Sequence, residues 1–353
     1  MYWERLPHNK LKTIFSGIKS MTLADVFIDR IVKVENLDEL VKQTKYKASV
    51  GGGSIRGIKQ REIIGGNATN IAYSLVKFGS ETELFVIGDE FAKRTLDLRF
   101  KKFNNIKIHV IDGKPGFTIA LETNLKNESN IMISDVGDIE KFDGKTIIKK
   151  YSDTIKESDI IIISNWASNL NGNQLVDNIF RSSKNSIKLL DFADLASATE
   201  RLNELIKNIT DNKIIDILSL NENECQILEK FLGLKNIKSQ YTSKDIQKSA
   251  LQISSILETR IDIHTPLGSC SALDEDVEFV ESFSVEPKIL TGAGDVWNAV
   301  NVLSLKKGMS TINRLNLANA AAGSYISEFH NGDFSLEKIE QLLESRNIFV
   351  EDL

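Results

Sequence analysis

The segment from Ile214 to Leu232 reads IIDILSLNENECQILEKFL. Its first seven residues are an almost unbroken Ile/Leu run and the rest repeats apolar residues at helical spacing, so a strand covered on both faces leads straight into an amphipathic helix. The unit recurs along the chain. Apolar runs at Leu84 to Ile87, Ile160 to Ile163, Ile187 to Leu190 and Ile261 to Ile263 alternate with helical patterns such as Thr199 to Ile209 and Lys244 to Leu257. Such alternation predicts an α/β fold, a doubly wound, mainly parallel sheet with helices on both faces, its strands joined by right-handed crossovers. Ligands of these sheets sit beyond the carboxyl ends of the strands, where Asn165, Asp191, Asn221 and Thr265 fall. Two stretches break the pattern. Residues 32–64 and 117–135 read as strand-like segments with no long helix between them, including Phe117 to Thr123 and Asn130 to Ser134 joined by the turn-rich Asn124 to Ser129. They predict a small sheet projecting from a single α/β domain that spans residues 1–353.

Chemistry is concentrated in Thr291-Gly292-Ala293-Gly294-Asp295, which runs into the apolar-periodic stretch Val296 to Leu305. A helix opening on Gly292, Ala293 and Gly294 directs unpaired backbone N–H groups at one spot, and its dipole favours an anion there. Asp295 at that spot suits a general base, with the N–H groups holding the charge that gathers on a phosphoryl group in transfer. An acidic residue in a first turn is also ordinary helix design, so this motif alone decides nothing. A second one adds weight. Residues 63–79 read IIGGNATNIAYSLVKFG: Gly65 and Gly66 open a helix whose Ala68, Ile71, Ala72, Leu75 and Val76 repeat at helical spacing. Asn67 and Asn70 then lie in its first turn, where an amide both donates to and accepts from a hydroxyl.

The pair G-G-N-A-T-N-I-A near the front and T-G-A-G-D-x-x-x-A near the back resembles the two signatures of the ribokinase/PfkB-like carbohydrate kinases. The resemblance runs from about Thr22 to about Leu343. It implies transfer of the terminal phosphoryl of a Mg-nucleotide, ATP or ADP, to a hydroxyl of a sugar, with the small sheet as a lid over the acceptor. Asp25 to Val34 resembles the family's opening strand, whose Asp, here Asp29, binds acceptor hydroxyls beside Gly65, Gly66 and Asn70. Asn221 and Glu224 match the N-x-x-E motif, which implies that Glu224 organises Mg2+, through water, near the phosphates. Thr265 and Gly268 resemble the loop that meets the nucleotide, and Asn319 lies in a small-residue helix, Ala318 to Ala322, of the kind that flanks the adenine. Two departures stand out. Ile289-Leu290 precede Thr291 where the family has Asp-Thr, and Gly51 to Gly57 lengthen the stretch before the first signature.

The chain's 353 residues include 41% hydrophobic ones, enough for a large core, and carry a net charge of −5. That charge, with no basic run interleaved with aromatics, argues against nucleic acid and for a small-molecule partner. Cys225 and Cys270 show no metal or disulfide spacing, and His8, His109, His264 and His330 are scattered. The start lacks a basic segment followed by an apolar one and no apolar run is long enough for a membrane, so a cytoplasmic protein that needs no membrane is expected. A P-loop, a complete dinucleotide fingerprint and the protein-kinase catalytic string are missing. Three alternatives remain open: a nucleoside as acceptor, a catalytically silent sugar- or nucleotide-sensing protein of the same fold, and a homodimer formed through the lid.

Overall fold

The apolar runs fold as strands of one large sheet. The structure, a computed structural model, describes residues 10–123, 129–234, 241–289, 291–328 and 333–350. The turn over 124–128, His8, His330 and Leu290 lie outside them. Helix α1 (Lys10–Ile14) leads into β1 (Lys19–Ala24) and β2 (Phe27–Val34), followed by α2 (Leu37–Ser49), β3 (Gln60–Gly65), α3 (Asn67–Lys77), β4 (Glu81–Gly88), α4 (Glu90–Phe100) and β5 (Ile106–Asp112). Then come β6 (Gly116–Thr123), β7 (Ser129–Asp135), α5 (Lys145–Glu157), β8 (Ile160–Ile163), α6 (Gly172–Arg181), β9 (Ile187–Asp191), α7 (Leu202–Asn212), β10 (Ile217–Asn221), α8 (Glu222–Phe231), α9 (Ser243–Leu257) and β11 (Arg260–His264). A hairpin of β12 (Gly268–Leu273) and β13 (Asp276–Glu281) precedes α10 (Ala293–Lys306), α11 (Thr311–Glu328) and α12 (Leu336–Glu344).

Among the described residues the large sheet has nine strands in the order β13-β12-β11-β10-β9-β8-β1-β4-β5. From β11 to β5 every pairing is parallel, and β12 and β13 add an antiparallel edge. Side chains alternate between two cores. Ile160 and Ile162 join Leu75 of α3 and Val300 of α10 on one face, while Ile161 and Ile163 join Val176 of α6 and Ile253 of α9 on the other. Each such fully buried side chain is worth roughly 1.5–3 kcal/mol relative to exposure. The chain runs outward from β1 through β4 to β5, then returns to β8 on the other side of β1, so the strand order reverses there and opens a crevice at the carboxyl ends.

The second sheet has the order β3-β2-β6-β7, with β2 and β6 parallel and the outer pairs antiparallel. Two expectations need correction. The strand that opens the large sheet is β1, and Asp29 belongs to β2 of the small sheet. Residues Lys19 to Ala24 escape a search for apolar runs because Ser20 and Thr22 are buried; Thr22 donates to the Ala68 carbonyl at 3.1 Å and Ser20 lies 2.8 Å from the Ser80 hydroxyl. The stretch 32–64 also holds a long helix after all. Helix α2 buries none of its residues and is stabilised locally, by Asn36 accepting from the Glu39 N–H and by Asp38 and Glu39 in its first turn.

Candidate active site

Two helices begin at the crevice. Helix α3 starts after Gly66, α10 starts after Gly292, and the two pack side by side. Asp25, one residue beyond β1, caps α3: its Oδ2 accepts from Asn67 N at 2.9 Å and its Oδ1 from Ala68 N at 2.8 Å. Asn165, just past β8, donates through Nδ2 to the same carboxylate at 3.1 Å and so bridges the two strand ends. The pinned helix aims both asparagines at Asp295. Asn67 Nδ2 donates to Asp295 Oδ1 and Asn70 Nδ2 to Asp295 Oδ2, each at 2.9 Å.

Asp295 is 5% exposed. Burial, then the charge of Asp191, push its pKa well above the usual carboxylate range, while the two amides pull it back. A carboxylate with raised proton affinity, held at both oxygens, is suited to receive a proton from a hydroxyl. No side chain of the described residues caps α10, which leaves its first-turn N–H groups facing the cavity. Gly292 takes up a left-handed φ of 91°, and a Cβ there would lie 2.6 Å from the Tyr325 hydroxyl, which itself donates to the Thr291 carbonyl at 2.9 Å. Ala293 follows, and Gly294 lies against the His264 ring.

On the small-sheet side the carboxylate of Asp29 lies directly over Gly65, where a Cβ would fall 1.8 Å from Asp29 Oδ2. Burial lifts Asp29 to about 6, with a hydrogen bond from Thr118 working the other way. Asn70 Oδ1 accepts from Arg99 Nη2 at 3.0 Å, and Arg99 Nη1 donates to the Ile64 carbonyl. Asp29, Gly65, Gly66 and Asn70 are thus assembled under β2 and β3, on one side of Asp295.

On its other side is a cavity of about 920 Å³ whose wall includes Asp191, Asn221, Glu224, Thr265 and Asn319. Asn221 and Glu224 form a reciprocal cap on α8: Asn221 Oδ1 accepts from Glu224 N at 2.9 Å and Glu224 Oε2 from Asn221 N at 2.8 Å. Burial and the nearby charge of Asp191 raise Glu224 well above its ordinary value. Asp191 itself is lifted to about 6 by burial, with Asp25 adding to it. Thr265 Oγ1 donates to the Gly268 carbonyl at 2.9 Å, closing the turn between β11 and β12. Gly268 does not reach the cavity wall; it is buried against Val280. The Asn319 amide accepts from Trp297 Nε1 and donates to the carbonyls of Val280 and Glu281, so it fixes the Trp297 ring at the wall. His264 lies 5.2 Å from that ring, and burial lowers it to about 4, leaving a neutral imidazole at pH 7.

A hard divalent cation takes oxygen ligands and keeps several of its waters when phosphates share it. Among the described residues no group of three His, Cys, Asp or Glu is arranged to hold a metal alone. The carboxylates of Glu224 and Asp191 at the wall fit a cation held through water and a ligand's phosphates. Sequence reasoning missed Arg99, Tyr325 and Trp297 and gave Asp25 no role. The four-residue spacing of Asp25 and Asp29 was the one available signal, whereas Arg99 sits in a plain amphipathic helix. Asp194, three residues beyond Asp191, is exposed and makes no side-chain cap.

A family model described as pfkB family carbohydrate kinase matches residues 19–338. The bifunctional protein HldE of Caulobacter sp. (strain K31) is 21% identical over 320 residues, which cover 90% of this chain and 61% of that protein. The chain therefore spans about three fifths of the length of this curated relative. The ribokinase of Arabidopsis thaliana complexed with ribose and ATP shares the fold with a TM-score of 0.69 at 15% identity, over 93% of this chain and 99% of that one. A Burkholderia thailandensis nucleoside kinase in complex with inosine does so with a TM-score of 0.68 at 14% identity, over 93% and 98%.

Proposed function

The chain belongs to the pfkB family of carbohydrate kinases, phosphotransferases with an alcohol group as acceptor, and from that premise we propose that it moves the terminal phosphoryl of a Mg-nucleotide to a hydroxyl of a sugar. One observation carries the reading: Asp295 stands between the 920 Å³ cavity and the polar group of Asp29, Gly65 and Asn70, with both its oxygens held by amides. Asp29, Gly66 and Asn70 hold acceptor hydroxyls, and each end of the Asn70 amide retains one hydrogen-bonding position for this purpose. Asp295 takes the proton of the attacking hydroxyl as its oxygen bonds to the phosphorus and the bond to the leaving nucleotide breaks. The N–H groups of Gly292, Ala293 and Gly294 donate to the phosphoryl oxygens. Asn221, Thr265 and Asn319 line the nucleotide side, Gly268 contributing only the turn that presents Thr265. Glu224 would hold Mg2+ through water, and the ion, when bound, would neutralise charge at the phosphates. The small sheet serves as a lid that keeps water from the transfer.

A nucleoside acceptor is the close second reading, favoured by the likeness to the inosine complex, whose TM-score nearly equals that of the ribose complex. ATP is the donor suggested by the latter. The lid's outer face exposes Phe117, Ile119, Ile131 and Ile133, an apolar strip suited to a second copy of the chain. No described helix is long and apolar enough to cross a membrane, and both cysteines are free and buried, in keeping with a cytoplasmic enzyme.

Asp295→Asn separates this mechanism from a role in helix design. Asn keeps size and a first-turn residue, so a base role lowers turnover roughly 10²–10⁴-fold while acceptor and nucleotide still bind. Turnover is to be measured with melting temperature and acceptor affinity; a folded variant at near-parental rate sinks the mechanism, and an inactive parent that binds sugar or nucleotide points to the sensing protein.

A further inference from the structure

Asparagine amides can turn over, exchanging donor and acceptor ends at almost no cost in shape. An ionised Asp295 only accepts and so selects the N–H end, but how firmly the amide stays so turned depends on what meets its other end. The guanidinium of Arg99 meets that end. An arginine only donates, so the atom of Asn70 lying 3.0 Å from Arg99 Nη2 must be the carbonyl oxygen Oδ1. That leaves Nδ2 turned to Asp295 Oδ2 at 2.9 Å. The reversed amide would set an N–H against the guanidinium and a carbonyl oxygen against the carboxylate, both repulsive.

Arg99 is itself fixed. Its Nη1 donates to the carbonyl of Ile64 at the end of β3, and its planar group lies 4.9 Å over the Tyr73 ring. Helix α4 thus supplies a cation locked by strand and ring, which locks an amide of α3, which holds a carboxylate of α10. Asn67, on the other oxygen of Asp295, meets no such cation among the described residues, so Asn70 is the amide of the clasp that is fixed from both ends.

We propose that Arg99 is a positioning residue for the transfer reaction: by locking the far end of the Asn70 amide it holds Asp295 in the attitude needed to accept the acceptor's proton. This rests on the reading of Asp295 as the base. A glutamine at 99 both donates and accepts and so releases the constraint, whereas a lysine keeps a donor-only cation. Arg99→Gln is expected to lower kcat on the order of tenfold with the nucleotide KM unchanged, and Arg99→Lys to recover most of the loss. Because Arg99 acts through Asn70, the double variant Arg99→Gln/Asn70→Ala should be no slower than Asn70→Ala alone. Melting temperatures of all four proteins show which are folded.

Parental kcat in folded Arg99→Gln, losses that multiply in the double variant, or a lysine variant as slow as the glutamine one would each overturn the proposal. Should Arg99→Gln fail to fold, Asn70→Asp carries the test: it retains an acceptor for Arg99, loses the donor to Asp295, and is expected to be as slow as Asn70→Ala. Parental turnover in Asp295→Asn would instead remove the base, a different failure seen in a different protein.

Discussion

Asp29 carries a measurable consequence of its burial. Its pKa of about 6 lies above the ordinary 3.8, so its contribution to stability is fully present below pH 4 and is lost as pH rises through 6. Asp29→Asn should therefore melt above the parent at pH 7, by an increment of at most about 3 kcal/mol, and show no gain at pH 4. Its acceptor KM should rise at both pH values. Thermal melts at the two pH values with acceptor titrations test this; the same melting offset at each would mean that the carboxylate ionises freely in the fold. Glu224 poses the opposite question. Glutamine at 224 can still accept from the Asn221 N–H, so the cap on α8 survives and only the charge is lost. Glu224→Gln is expected to shift the magnesium dependence of turnover several-fold upward while leaving the acceptor KM in place. A parental magnesium titration with weakened sugar binding would assign Glu224 to the acceptor instead.

Among the elements, α3 depends most on one residue. Asp25 satisfies two of its first N–H groups and accepts from Asn165, so Asp25→Ala should cost about 2–4 kcal/mol and loosen the hold of Asn67 and Asn70 on Asp295. Chemical denaturation checks the first effect and turnover the second; stability within about 0.5 kcal/mol of the parent would show the cap to be dispensable. The legibility of the elements follows from what each must bury. Strands β4, β8, β9, β10 and β11 announce themselves because both faces are covered, which demands Ile and Leu at successive positions. Strand β1 does not, since Ser20 and Thr22 find hydrogen-bonding partners inside the fold, and α2 does not, since it buries nothing. At the site the glycines and Asp295 were readable because a helix opening on glycine with an adjacent carboxylate has a local signature. Arg99 and Tyr325 were not, because only the packing of α4 and α11 brings them there, and no local pattern records such an approach.

For the molecule as a whole, α10 and α11 are held to the large sheet through polar groups as well as apolar ones. Arg314 of α11, fully buried, donates to Asp262 of β11 at 2.8 Å, to Asn301 of α10 and to the Ser271 hydroxyl of β12. Its charge holds the Asp262 carboxyl below the usual range against the effect of burial. Arg314→Met strands that carboxylate and is expected to cost about 3–5 kcal/mol, whereas Arg314→Met/Asp262→Asn should recover part of the loss. Denaturation midpoints of the two variants compare them directly; a double variant less stable than the single one would show that the network acts through its hydrogen bonds rather than its charge. The joint between the sheets has a mechanical meaning. A single residue, Gly66, separates β3, an edge strand of the small sheet, from the first turn of α3. If the sheet tilts as a lid, it is the long arm of a lever with Gly66 as fulcrum, and the short arm ends in the two amides that clasp Asp295. On the reading proposed above, a tilt of the plate would be geared down onto the carboxylate, making a seated acceptor and a correctly turned base two ends of one stroke.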